Sequence, residues 1–310
     1  MRGFNEKIEA GALDICLYGI APPKRATPPQ RLATIIDRQL ARIRDIEADA
    51  LIVYDIQDES ERVADERPFP FLPTIDPHEY AFEHLQALTT PKIVYRSVGG
   101  DDEASFGRWI SQPRSGVVLV GAPSRNTHAT LPLSRAYALA RNHAPAQLVG
   151  GIAIAERHAH KGTEHERMLA KMRMGCRFFV TQAVYDVTAT KSLISDYALT
   201  LSSMELDPVP VILTFAPCAS EKTLAFMRWL GISFPRWLEN ELKHARDPLA
   251  TSLRLCEATF DDVYAFARSK RVPLGINVES VSIRKAEIEA SVELFNSLRR
   301  RMATSNDGGA

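Results

Sequence analysis

The chain has 310 residues, enough for one large domain or two small ones, with 38 basic against 38 acidic side chains and 45% hydrophobic residues. That balance is the profile of a water-soluble globular protein and gives no reason to expect nucleic acid as a partner. No apolar run approaches the roughly 20 residues that cross a bilayer, and the opening Met1-Arg2-Gly3-Phe4-Asn5-Glu6-Lys7 lacks the apolar core of a signal peptide, so no membrane association and a cytoplasmic location are expected.

Short β-branched or aliphatic runs alternate with helix-length amphipathic stretches along the whole chain, the pattern of a parallel sheet with crossover helices. In chain order the runs are 13–20, 50–55, 92–98, 116–120, 147–155, 177–181, 209–215 and 272–278. Several are apolar at nearly every position, as strands covered on both faces must be. Pro28-Pro29 opens an amphipathic helix to about Glu47, Asp76-Pro77 caps another ending near Leu88, and a third runs from Thr163 to Met174 and stops at Gly175. The connection from Ala216 to Arg271 is longer than the others and should hold more than one helix. Eight strand–helix units without a break in composition point to a single closed (βα)8 TIM barrel over residues 1–303, with 304–310 as a disordered tail. Cys16, Cys176, Cys218 and Cys256 form no C-x-x-C pair and read as small buried hydrophobes.

In such a barrel the chemistry belongs at the C-terminal ends of the strands. The first strand is not followed by G-x-G-x-x-G, and there is no G-x-x-x-x-G-K-[ST], so a nucleotide would have to bind by another architecture. After the fifth run, Glu156-Arg157-His158-Ala159-His160-Lys161-Gly162-Thr163-Glu164-His165 is the densest group of ionisable side chains. It can be read as a metal site, but Arg157 and Lys161 interleave with the candidate ligands, so an anion or phosphate locus fits better and no metal is expected. Gln182 ends the sixth run and offers both a donor and an acceptor, suited either to the edge of a heterocycle or to a neighbouring loop. Asp55 and Glu279 are the other strand-end carboxylates; either titrates as a general acid if desolvated, or else satisfies loop amides.

These segments resemble the methylenetetrahydrofolate reductase family, a barrel family that uses flavin to pass hydride between a nicotinamide cofactor and a one-carbon unit on reduced folate. Gly175-Cys176-Arg177-Phe178-Phe179-Val180-Thr181-Gln182-Ala183-Val184-Tyr185-Asp186 is similar to that family's G-A-x-x-x-x-T-Q-x-x-[FY]-D, and Val209 to Pro217 with Phe234-Pro235-Arg236-Trp237 resembles its seventh strand and I-P-x-W segment. Glu156 and His158 resemble the E-x-H of Y-P-E-x-H. The resemblance implies an oxidoreductase of one-carbon metabolism that interconverts 5,10-methylenetetrahydrofolate and 5-methyltetrahydrofolate with FAD and NAD(P)H. It implies Gln182 against the pterin, and Ser97, Glu156, His158, Glu164 and Lys171 near the cofactor. Assembly into a homo-oligomer is left open.

The departures bear on mechanism. Gly19 stands where the family's E-F-F-P-P has its acid, Ala122 falls near the place of the R-G-D aspartate, and Ile154 replaces the tyrosine of Y-P-E-x-H. Losing an acid slows the reductive direction, since general acid catalysis contributes about 10²–10⁴-fold. Oxidation of 5-methyltetrahydrofolate tolerates that loss better, with Asp55 the preferred carrier of the proton ahead of Glu156 and Tyr18. Three other readings are a flavin-free NAD(P)H-linked reductase, a folate-binding protein without turnover, and a metal-dependent lyase with its ion in the 156–165 loop.

Overall fold

The computed structural model describes residues 3–59, 65–121 and 129–307. Eight strands close into a barrel in chain order: β1 (Cys16–Ile20), β2 (Ala50–Val53), β3 (Lys92–Ser97), β4 (Gly116–Val120), β5 (Val149–Ala153), β6 (Phe178–Ala183), β7 (Val211–Phe215) and β8 (Leu274–Glu279). The registered pairs are parallel, from Leu17 against Ala50 to Phe215 against Val278. Each expected strand run is present. β1, β2 and β7 are buried at every position, which is why their sequences are apolar without alternation.

The helices are α1 (Phe4–Glu9), α2 (Pro29–Arg44), α3 (Pro77–Glu79), α4 (Glu103–Ile110), α5 (Leu133–His143), α6 (Ala155–Lys161), α7 (Glu164–Arg173), α8 (Val187–Ser203), α9 (Glu221–Trp229), α10 (Arg236–His244), α11 (Pro248–Ser269) and α12 (Lys285–Asp307). The long connection after β7 thus holds three helices, α9 to α11. Two expectations need correcting. The helix opened by Asp76 gives way after α3 to a wider π turn over Tyr80–His84 and stops short of Leu88. Thr89 and Thr90 precede Pro91, and a residue before proline avoids the helical region. At the other end α12 continues to Asp307, four residues into the stretch read as a tail, which has no proline to stop it.

The packing forms two compact units, Leu17–Gly150 with Met174–Cys176, and Met1–Cys16 with Gly151–Arg173 and Arg177–Ala310. In the first, Leu17, Leu51, Ile52, Val53, Ile93, Val94 and Val117 have no exposed surface. In the second the core is aromatic: Phe215 meets Phe260 edge to face at 6.1 Å, and Phe4 meets Phe178 at 5.9 Å, so α1 closes the bottom of β6. Gly275 is required there by close approach. A Cβ at that position would lie 2.6 Å from the carbonyl oxygen of Ile15, whose partner is the Ile276 N–H. Among the described residues no helix is long and apolar enough to cross a membrane.

Candidate functional site

In the first unit, Asp55 follows β2 and both its oxygens are engaged. Oδ2 accepts from the Ser97 main-chain N–H at 2.8 Å and Oδ1 from Gln57 Nε2 at 2.6 Å. Burial pushes its carboxyl above the usual range, opposed by those two donors and by Arg96, while Asp76 adds to the rise. Arg96 is itself held by Asp101, through Nε at 2.9 Å and Nη2 at 2.5 Å. Asp55 and Ser97, read respectively as proton carrier and cofactor contact, thus meet each other and lock the loop after β2 onto the end of β3.

A different side chain fills the space beside Gly19. A Cβ built at residue 19 would lie 2.8 Å from both Cε2 and the hydroxyl of Tyr54. The Arg96 guanidinium lies 5.3 Å from the centroid of the Trp109 ring on α4, so along β3 Arg96 faces the helices and Tyr95, one residue earlier, faces the barrel interior. Tyr54 packs edge to face on Tyr95 at 4.9 Å, which places it on the same side. The position where the resemblance puts an acid is therefore occupied by the phenol of the residue that follows β2. Sequence reasoning overlooked Tyr54. The available signal was Gly19 itself, because a glycine inside a strand often marks close approach of a neighbour.

In the second unit, the turn between α9 and α10 is tied down by side chains from three strand and helix ends. Gln182, on β6, donates from Nε2 to the Leu230 carbonyl at 2.6 Å, leaving its Oε1 without a partner among the described residues. Glu156, in the first turn of α6, accepts from the Ser233 N–H at 3.3 Å, and the Ser233 hydroxyl reaches Asp186 Oδ2 at 3.3 Å. Asp186 also caps α8 through the Ala189 N–H. The Phe234 ring packs on Tyr185 at 4.3 Å. Burial raises the Glu156 carboxyl above its ordinary range; its own N–H and that of Ser233 oppose the rise, and Asp186 reinforces it. Glu156 and Gln182 are thus brought to one turn, with Ser233 as a connecting group that no motif had singled out.

The remaining candidates do not join them. Glu164 is fully buried and is held by Arg157 Nη1 at 3.1 and 3.2 Å and by the Ile154 N–H at 3.3 Å. Lys171 is 5% exposed and donates to the Ile152 carbonyl at 2.5 Å. Both, expected near the cofactor, instead fasten β5 to its following helices through protein partners. His158 is 4% exposed and faces Asp196 on α8. Tyr18 is buried in β1. Ala122 lies outside the described residues.

No family model matches the chain, and no curated protein is similar to it. Among solved structures it is similar to an uncharacterized protein from Clostridium thermocellum that binds two copies of 5-methyl-5,6,7,8-tetrahydrofolic acid. The two are 40% identical over 95% of this chain and 98% of that one, with a TM-score of 0.84. The chain belongs to that protein's family. Outside the family, an endoxylanase of the GH10 type retrieved from a sugarcane soil metagenome superposes with a TM-score of 0.51 at 9% identity, over 96% of this chain and 100% of the other. That likeness shows the barrel fold alone.

Proposed function

We propose that this chain binds a reduced folate carrying a one-carbon unit, 5-methyltetrahydrofolate above all, and exchanges hydride between that methyl carbon and NAD(P)+. The observation that carries the binding is the full-length similarity to the Clostridium protein with its two bound copies of 5-methyltetrahydrofolic acid. The methylenetetrahydrofolate reductase resemblance carries the redox chemistry. Gln182 supports the same reading, because its Oε1 is left to accept from an amino or ring N–H of the pterin.

In the oxidative direction the N5-methyl carbon gives a hydride to NAD(P)+ and becomes a methylene iminium. N10 then attacks that carbon and loses a proton, closing 5,10-methylenetetrahydrofolate. Glu156 is assigned as acceptor of this proton, since a carboxylate whose pKa is raised by burial binds a proton more readily than one in water. FAD does not enter the proposal. Of the side chains that the resemblance places near the cofactor, the two most deeply engaged, Glu164 and Lys171, are buried against protein partners.

A second reading, folate binding without turnover, is favoured by Gly19, which removes the carboxylate that the resemblance places at the end of β1. Titration of the purified protein with 5-methyltetrahydrofolate tests both, followed by addition of NAD(P)+ and the appearance of NAD(P)H absorbance. Saturable binding with turnover supports the first reading, and saturable binding without it the second. No binding at about 1 mM, an affinity near 4 kcal/mol, would sink both.

A further inference from the structure

We propose that His158, His165 and Asp196 form a binding site for a divalent transition-metal ion of the Zn2+ or Co2+ kind, joining α6, α7 and α8. One ligand atom from each residue lies within 4.8 Å of the other two. His158 Nε2 is 3.1 Å from Asp196 Oδ2, and the two imidazoles meet edge to face with centroids 5.4 Å apart. Two imidazoles and one carboxylate make a donor set that suits these ions and leaves a coordination position for water.

The second observation is independent of the clustering. His158 is 4% exposed with its Nε2 turned to Asp196, and the Nδ1 atom of His165 is buried without a hydrogen-bond partner. Buried ring nitrogens are ordinarily paired, and bound metal is one way to use a free imidazole lone pair.

The sequence offered an objection to a metal here, because cations interleave with the candidate ligands. The fold removes it. Arg157 turns away to the buried Glu164, Arg167 approaches the same carboxylate at 3.5 Å, and Lys161 is exposed. The missing ligand, Asp196, comes from a helix 38 residues further along the chain than His158, out of reach of any local motif. Because each ligand belongs to a different helix, the ion would fasten three elements together, and its binding free energy adds to stability.

The test uses the full-length protein, stripped with a chelator, dialysed and titrated with Co2+ and with Zn2+. The expected result is one equivalent bound, visible d–d bands from Co2+, and a Tm that rises with Zn2+ concentration. His165→Ala and Asp196→Asn should each weaken binding at least tenfold, while His160→Ala, which removes an exposed histidine on α6 beside His158, leaves it unchanged. The first two positions are only partly buried, so they carry the test even where His158→Ala fails to fold. Absence of a stoichiometric ion, or binding that persists in both His165→Ala and Asp196→Asn, overturns the proposal.

Discussion

The phenol of Tyr54 occupies the volume that any side chain at residue 19 would need, with Cε2 and the hydroxyl each 2.8 Å from the place of a Cβ. Gly19 and Tyr54 are therefore one packing unit. Gly19→Ala should cost about 1–3 kcal/mol through overpacking. The same change made in Tyr54→Ala should cost much less, because the ring it strikes is gone. A double-mutant cycle by urea denaturation measures the difference; equal costs in the two backgrounds would show that the ring moves aside freely.

Glu156 gives a pH signature. Its carboxyl is raised chiefly by burial, so the folded state holds the proton more tightly than the unfolded chain, whose glutamates titrate near about 4.3. The resulting stability is fully present below that value and is lost as pH rises through the higher folded-state pKa. Glu156→Gln should flatten the decline in that window, compared by denaturation at a series of pH values from the unfolded pKa to neutrality. A decline of unchanged slope in the variant assigns it to another group.

The barrel was legible because strands covered on both faces write themselves as unbroken apolar runs, as in Ala50–Val53 and Val211–Phe215. Gln182 was legible as a strand-end carboxamide for the same reason of position. What escaped the sequence were partnerships across space. Nothing local says that Glu164 turns inward to Arg157, that Asp196 comes beside His158, or that Ser233 joins Glu156 to Asp186. Asp55 shows the converse: a carboxylate at a strand end looks catalytic in sequence, yet the Ser97 N–H and Gln57 claim it for the loop.

Arg157 and Glu164 make a pair in which the carboxylate has no exposed surface. Removing only the cation leaves a buried charge with weaker compensation, so Arg157→Ala should destabilise the fold by about 3–5 kcal/mol at neutral pH. Folate affinity of the fraction that remains folded should not change, since Glu164 is turned into the packing. Chemical denaturation gives the first quantity and titration with 5-methyltetrahydrofolate the second. A variant of normal stability that had lost the ligand would return Glu164 to the binding site.

Gln182 separates its two functions by atom. Its Nε2 donates to the Leu230 carbonyl at 2.6 Å and so holds the turn before α10, while Oε1 is the atom assigned to the pterin. Gln182→Glu replaces the donor with a second acceptor facing that carbonyl, which should release the turn and bring repulsion where there was a hydrogen bond. Gln182→Ala removes both contacts, each worth about 0.5–1.5 kcal/mol net, and should weaken 5-methyltetrahydrofolate binding by about tenfold with a small loss of stability. Gln182→Glu should weaken it further, because the released turn also carries the Ser233 bridge between Glu156 and Asp186. Isothermal titration of the three proteins ranks the effects, and wild-type affinity in Gln182→Ala would leave this residue a loop tie alone.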